Sequence, residues 1–145
     1  MGKKPDVMGL IKQDDKIFEL IYTESSCIIC SETKKEEDDV KLWRETLDGA
    51  SFISALCRPT GNQFGIVGIQ VAGSVIYLNV LVKDLAGISR YFHVDHAEIP
   101  FSPSNIARVK SLMRILLTLR IQALEQASSH PPRNVKPSPT VKWLV

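Results

Sequence analysis

Lys4-Pro5-Asp6-Val7-Met8-Gly9-Leu10-Ile11 and Lys16-Ile17-Phe18-Glu19-Leu20-Ile21-Tyr22-Thr23-Glu24-Ser25-Ser26 decide how this chain folds. Each run is rich in apolar and β-branched residues, and the polar Asp14-Asp15 lies between them, so together they read as an antiparallel hairpin. With the turn centred near those aspartates, residues whose numbers sum to about thirty oppose one another, which sets Asp6 across from Glu24. Glu19, at an odd separation from Glu24, is expected on the other face of the strand.

Beyond the hairpin, Ser31 to Asp39 is densely charged and reads either as a solvated loop or as the frayed start of a helix. Val40, Trp43, Leu47 and Ala50 then recur at helical spacing, with Lys41, Arg44, Glu45 and Asp48 between them. This predicts an amphipathic helix running to about Leu56, with Trp43 as a core anchor, ended by Pro59 and Gly61. Phe64 to Ala72 and Val75 to Val82 are two nearly continuous apolar strands around a Gly73-Ser74 turn, a pattern typical of strands covered on both faces. After the Asp84 to Gly87 turn, Ile88 to Val94 alternates, placing Ser89, Tyr91, His93 and Asp95 on one face.

A loop through Pro100 and Pro103 leads to a second helix, roughly Asn105 to Gln126, which Ser102 or Ser104 is placed to cap. Ile106, Val109, Leu112, Met113, Leu116, Leu117 and Leu124 form a broad apolar face that Ile115, Leu119 and Ile121 extend. Ile106, Val109, Leu116 and Leu124 are expected to meet the sheet. The order strand, strand, helix, three strands, helix defines an α/β (α+β) domain over residues 1–127. A helix between the second and third strands makes a parallel crossover, hence a mixed sheet of about five strands with helices packed on it. Pro131, Pro132, Pro137 and Pro139 with scattered basic residues mark 128–145 as a disordered tail.

At 145 residues and 44% apolar content, one core is the natural size. The net charge of +2, from 18 basic and 16 acidic side chains, gives no global attraction for nucleic acid, so any such surface is local. Lys110, Arg114, Arg120, Arg133, Lys136 and Lys142 are the candidates for phosphate contact; the simpler reading is a solvated helix face and a soluble tail. No apolar run approaches the roughly 18 residues of a membrane span, and the expected location is intracellular, in cytoplasm or nucleus. Cys27, Cys30 and Cys57 are then free thiols. Cys27-x-x-Cys30 with His93-x-x-His96 has zinc-like spacing, but the gap between the pairs far exceeds that of a finger, and zinc is disfavoured. No glycine-rich phosphate loop opens a helix.

Paired carboxylates at one sheet end are the minimum for a divalent metal site, because hard cations take oxygen ligands and activate water on them. Pro5-Asp6 before one strand and Glu24-Ser25-Ser26 closing the next, followed by a helix and a further core strand over about residues 4 to 72, resemble the PD-(D/E)XK nuclease superfamily. Glu24-Ser25-Ser26, the charged stretch and Lys41-Leu42 also look like a set of little-characterised fungal proteins with nuclease-like domains. The resemblance implies magnesium as cofactor, Asp6 and Glu24 as metal-binding and catalytic residues, and DNA or RNA as substrate. It also places a lysine two residues after Glu24, where this chain has Ser26. Lys41 on the helix is the candidate replacement; otherwise it is a solvated lysine. The helix and strand that precede Pro-Asp in the superfamily are absent, which reads as a fragment, a truncated product or a minimal derivative. The result is a degenerate nuclease with weak or no activity. The competing reading is a noncatalytic module that self-associates or docks within a larger protein through its last helix and the edge of its meander.

Overall fold

The computed structural model describes residues 5–13, 16–26, 29, 31–57, 65–83, 87–102, 104–128 and 141–144. The elements are β1 (Val7–Gln13), β2 (Lys16–Ser25), α1 (Glu32–Cys57), β3 (Gly65–Ala72), β4 (Val75–Lys83), β5 (Ser89–Glu98), α2 (Ile106–Ser128) and β6 (Val141–Leu144). One mixed sheet in the order β5-β4-β3-β2-β1-β6 forms the centre. As the crossover requires, β2 and β3 are parallel, whereas β1–β2, β3–β4 and β4–β5 are antiparallel.

The two helices take opposite faces of the sheet. On one side Tyr22, Ile66 and Leu81 enclose Leu42, Ala50 and Ile53 of α1. On the other, Ile21, Val67, Ile69, Leu78, Val80 and Ala97 meet Ile115 of α2. Burial on both sides explains why β3 shows no alternation: Gly65 through Gln70 are all buried. The β3–β4 hairpin closes with Ala72 opposite Val75, and Gly73 adopts φ 61°, a value that disfavours any residue with a Cβ.

The charged stretch is helical, the second of its two readings, and α1 begins at Glu32. Ser31 caps it, its Oγ accepting from the Lys34 amide at 3.2 Å and its carbonyl from the Lys35 amide at 3.1 Å. The rotation of α1 differs from the apolar reading. Asp38, Leu42, Thr46, Gly49, Ala50 and Ile53 are its buried positions, while Val40 and Trp43 are exposed; Trp43 is not a core anchor. Gly49 is required by a close approach, since a Cβ there would run into the Tyr22 hydroxyl and ring.

α2 is likewise rotated from expectation. Among its described side chains Ile115 is fully buried, Val109 and Leu119 are half-buried, and Ile106 and Leu116 face outward; the side chain of Leu124 lies outside the described residues. Asn105 caps it in place of either serine, its Oδ1 accepting from the Arg108 amide at 3.2 Å. In β5 a register shift opposite Leu78 and Asn79 skips Val94, so His93 and His96 both lie towards α1 while Asp95 turns to Arg114 on α2. Finally, Val141–Leu144 of the supposed disordered tail forms β6, pairing antiparallel with β1. The edge of β1 offers a row of unpaired amides and carbonyls, and a short segment there satisfies them.

Candidate functional site

The hairpin register holds at its open end, where Val7 opposes Thr23, Met8 opposes Tyr22 and Gly9 opposes Ile21. It slips by one residue between Gly9 and Leu10. Asp6 is held at the level of Glu24 by two backbone contacts: its amide donates to the Thr23 carbonyl at 3.0 Å, and its Oδ2 accepts from the Ser25 amide at 2.8 Å. The slip brings Glu19 to the face it was expected to avoid, where its Oε2 accepts from the Tyr22 hydroxyl at 2.8 Å.

Glu24 is buried, and Lys41 reaches down from α1 to place Nζ 2.5 Å from its Oε1. One turn further along α1, Glu45 Oε1 lies 3.8 Å from the same ammonium. Burial would depress the Lys41 pKa, but the hydrogen bond to Glu24 and the charges of Glu24, Glu45 and Asp6 outweigh it and raise the value. Lys41 is therefore a fixed cation within a group of carboxylates, not a solvated lysine. Burial, then the neighbouring Glu24 charge, pushes Glu45 up to about 7 against the pull of Lys41. Both Glu45 carboxylate oxygens are buried without a hydrogen-bond partner among the described residues.

Ser26 does not join this group. Its hydroxyl donates to Asp38 Oδ2, and Lys34 Nζ binds the other oxygen of Asp38. Burial alone would raise the Asp38 pKa; the hydrogen bonds from Lys34 and Ser26 and the charges of Lys34 and Lys41 bring it below the usual value. Ser26 thus ties the end of β2 to the first turns of α1, the same helix that carries Lys41.

The structure therefore brings Asp6, Glu24 and Lys41 to one corner and assigns Ser26 to a neighbouring contact. Sequence reasoning missed Glu45 and Asp38, which look like ordinary wet-side acids of an amphipathic helix. The signal was their spacing: Lys34, Asp38, Lys41 and Glu45 follow one another at intervals of four, three and four residues, and so form one stripe of alternating charge.

The corner begins a row that crosses the sheet. Glu24 of β2 pairs with Gln70 of β3, Gln70 with Tyr77 of β4, and Tyr77 with His96 of β5. Glu24, Gln70 and Tyr77 lie beneath the first half of α1, and His96 lies by the start of α2. Gln70 Nε2 donates to the Lys35 carbonyl at 2.7 Å, and Lys35 Nζ sits 5.0 Å above the Tyr77 ring.

Oxygen donors are the type that a hard divalent cation takes, and both Glu45 oxygens lack a hydrogen-bond partner among the described residues. Among the described residues, no three His, Cys, Asp or Glu side chains already converge as a metal-holding group. Cys27 and Cys30, the thiol half of the zinc reading, lie outside the described residues. Of the candidate phosphate contacts, Arg114 is committed to Asp95 by two bonds of 3.0 Å, Lys110 and Arg120 are exposed, and Arg133 and Lys136 lie outside the described residues. No helix among the described residues is long and apolar enough to cross a membrane. Comparison with family models, curated proteins and solved structures returns no match.

Proposed function

We propose that this chain is a magnesium-dependent phosphodiesterase domain of the PD-(D/E)XK type, reduced in activity, with nucleic acid as its substrate. Asp6, Glu24 and Glu45 are the metal-binding carboxylates, and Lys41 supplies the ammonium missing at Ser26. The observation that carries this reading is the contact of Lys41 with Glu24, which puts a cation beside the carboxylate from an unexpected element. A divalent cation bound here would polarise a phosphodiester and acidify a bound water. Asp6 is oriented for this by the Ser25 amide, and both Glu45 oxygens lack a hydrogen-bond partner among the described residues. Lys41, charged at neutral pH, is placed to offset negative charge developing on phosphate. Its existing bond to Glu24 competes with metal loading, and turnover is accordingly slow.

Plasmid nicking in Mg²⁺ or Mn²⁺, read beside calorimetric Mg²⁺ titration, tests the reading. Asp6→Ala and Glu24→Gln should each abolish nicking with the fold retained. Robust cleavage surviving loss of both carboxylates, or a wild type that neither cleaves nor binds metal, refutes it. A second reading, self-association, is favoured by Ile106, Met113, Leu116, Leu117 and Ile121, all exposed along α2.

A further inference from the structure

Past Gln70, the row runs into a cleft of about 290 Å³ under α1, whose lining includes Lys35, Asp39, Tyr77, Asn79, Tyr91 and His93. Tyr77 also lines a second hollow of about 490 Å³, with His96 and Arg108, by the start of α2. His96 stacks on Tyr77 with ring centroids 5.9 Å apart and planes 25° from parallel, and His93 packs 5.5 Å from His96. Asn79 Oδ1 lies 3.1 Å from His93 Nδ1 and can only accept, so that nitrogen carries the proton. His93 Nε2 is then free to accept from His96 Nδ1 at 3.3 Å. The result is a cluster of three rings, His93 and His96 exposed and Tyr77 half-buried, with Tyr77 and His96 the pair closest to parallel. Beside it, the Tyr91 hydroxyl is buried with no hydrogen-bond partner among the described residues, and burial together with the Asp39 charge keeps it protonated. A buried donor of this kind gains from a ligand that brings an acceptor.

We infer that this row seats a single-stranded nucleic acid, with the scissile phosphate at Glu24 and Lys41 and a neighbouring unpaired base stacked on Tyr77 and His96. The placement of the phosphate rests on the phosphodiesterase reading; the base platform rests on the rings. Three interstrand steps of about 4.8 Å separate Glu24 from His96 by about 14 Å, so the stacked base belongs to a nucleotide beyond the one that carries the scissile phosphate. An extended strand spans that distance. A duplex hides the faces of its bases, whereas unpaired bases stack on aromatic side chains. Glu32, Glu36 and Asp39 around the first cleft repel phosphate, which favours entry of a base there while the backbone stays near Lys41. The Tyr91 hydroxyl offers a hydrogen bond to the edge of that base.

The test is fluorescence anisotropy of the full chain with labelled short oligothymidylate, oligouridylate and a duplex of equal length, in Ca²⁺ to limit turnover. Single strands should bind more tightly than duplex. Tyr77→Ala should weaken their binding about tenfold, Tyr77→Leu, which keeps apolar bulk, should do the same, and Tyr77→Phe should retain it. Equal affinity for wild type and a folded Tyr77→Leu protein, or preference for duplex, overturns the inference. A wild type that nicks duplex but ignores single strands overturns this inference alone. Binding through Tyr77 in a wild type that neither cleaves in Mg²⁺ or Mn²⁺ nor binds metal overturns the phosphodiesterase reading and leaves the single-strand platform standing.

Discussion

Lys41 and Glu24 are joined across the helix–sheet interface at 2.5 Å, with Glu24 nearly buried and Lys41 about one quarter exposed. Removing one partner leaves the other in a poor solvent. Lys41→Ala should therefore destabilise the fold by about 2–3 kcal/mol, less than for a fully buried pair because Lys41 retains water. The double variant Lys41→Met/Glu24→Gln should recover most of that loss in urea denaturation, while nicking stays absent. Equal stability of Lys41→Ala and wild type would show that the pair contributes nothing.

Ser26 reports on the strut to Asp38. Ser26→Ala should cost about 1 kcal/mol and weaken nicking only through the position of α1. Ser26→Lys in a Lys41→Met background should restore part of the activity, since it returns an ammonium to the place the superfamily pattern assigns. Complete loss of activity in Ser26→Ala with unchanged stability would instead make the hydroxyl part of the reaction.

Glu45 makes stability depend on pH in metal-free protein. Its folded value of about 7 lies above the ordinary 4.5, so the folded state holds a proton that the unfolded chain releases. The cost of ionising it is absent below about 4.5, grows as pH rises, and is complete above about 7. Glu45→Gln should remove that slope and stabilise the protein at pH 8 by about 1–3 kcal/mol. Parallel pH–stability curves in EDTA for the variant and wild type would contradict this assignment.

Leu42 and Trp43, adjacent in sequence, should respond oppositely to truncation. Leu42→Ala should cost about 2–5 kcal/mol, because Leu42 is fully buried, and Trp43→Ala within about 0.5 kcal/mol, because its ring is exposed. Calorimetric melting of the two variants fixes the rotation of α1.

The outward side of α2 gives the test of self-association. Light scattering at tens of micromolar should report a dimer that Met113→Glu and Leu117→Glu dissociate; a wild-type monomer would dispose of the second functional reading.

Element order and the parallel pairing were legible because they depend on turn chemistry and on the helix between β2 and β3. Helix rotation was not. The buried stripe of α1 contains Asp38, Thr46 and Gly49, with half-buried Glu45 at its side, so apolar periodicity pointed to Val40 and Trp43. α2 is apolar around most of its circumference, and composition alone does not select Ile115. The skip at Val94 and the slip after Gly9 reverse side-chain parity without any local signature, which hid the meeting of His93 with His96 and of Glu19 with Tyr22. That Asp6 faces Glu24 was legible because the hairpin register survives at its open end, while the approach of Glu45 required the helix to be set against the strand.

The notch at Gly49 does more than admit a tyrosine. Going from Tyr22 to Glu24 advances about 6.6 Å along the strand, and going back from Gly49 to Glu45 retreats about 6 Å along the helix. The two repeats keep step over this interval, so the seating of one ring in one missing side chain indexes α1 against β2 like the pin of a vernier. A methyl group at residue 49 would slide the whole scale, and damage inflicted in the hydrophobic layer would be measured as a defect at the carboxylates.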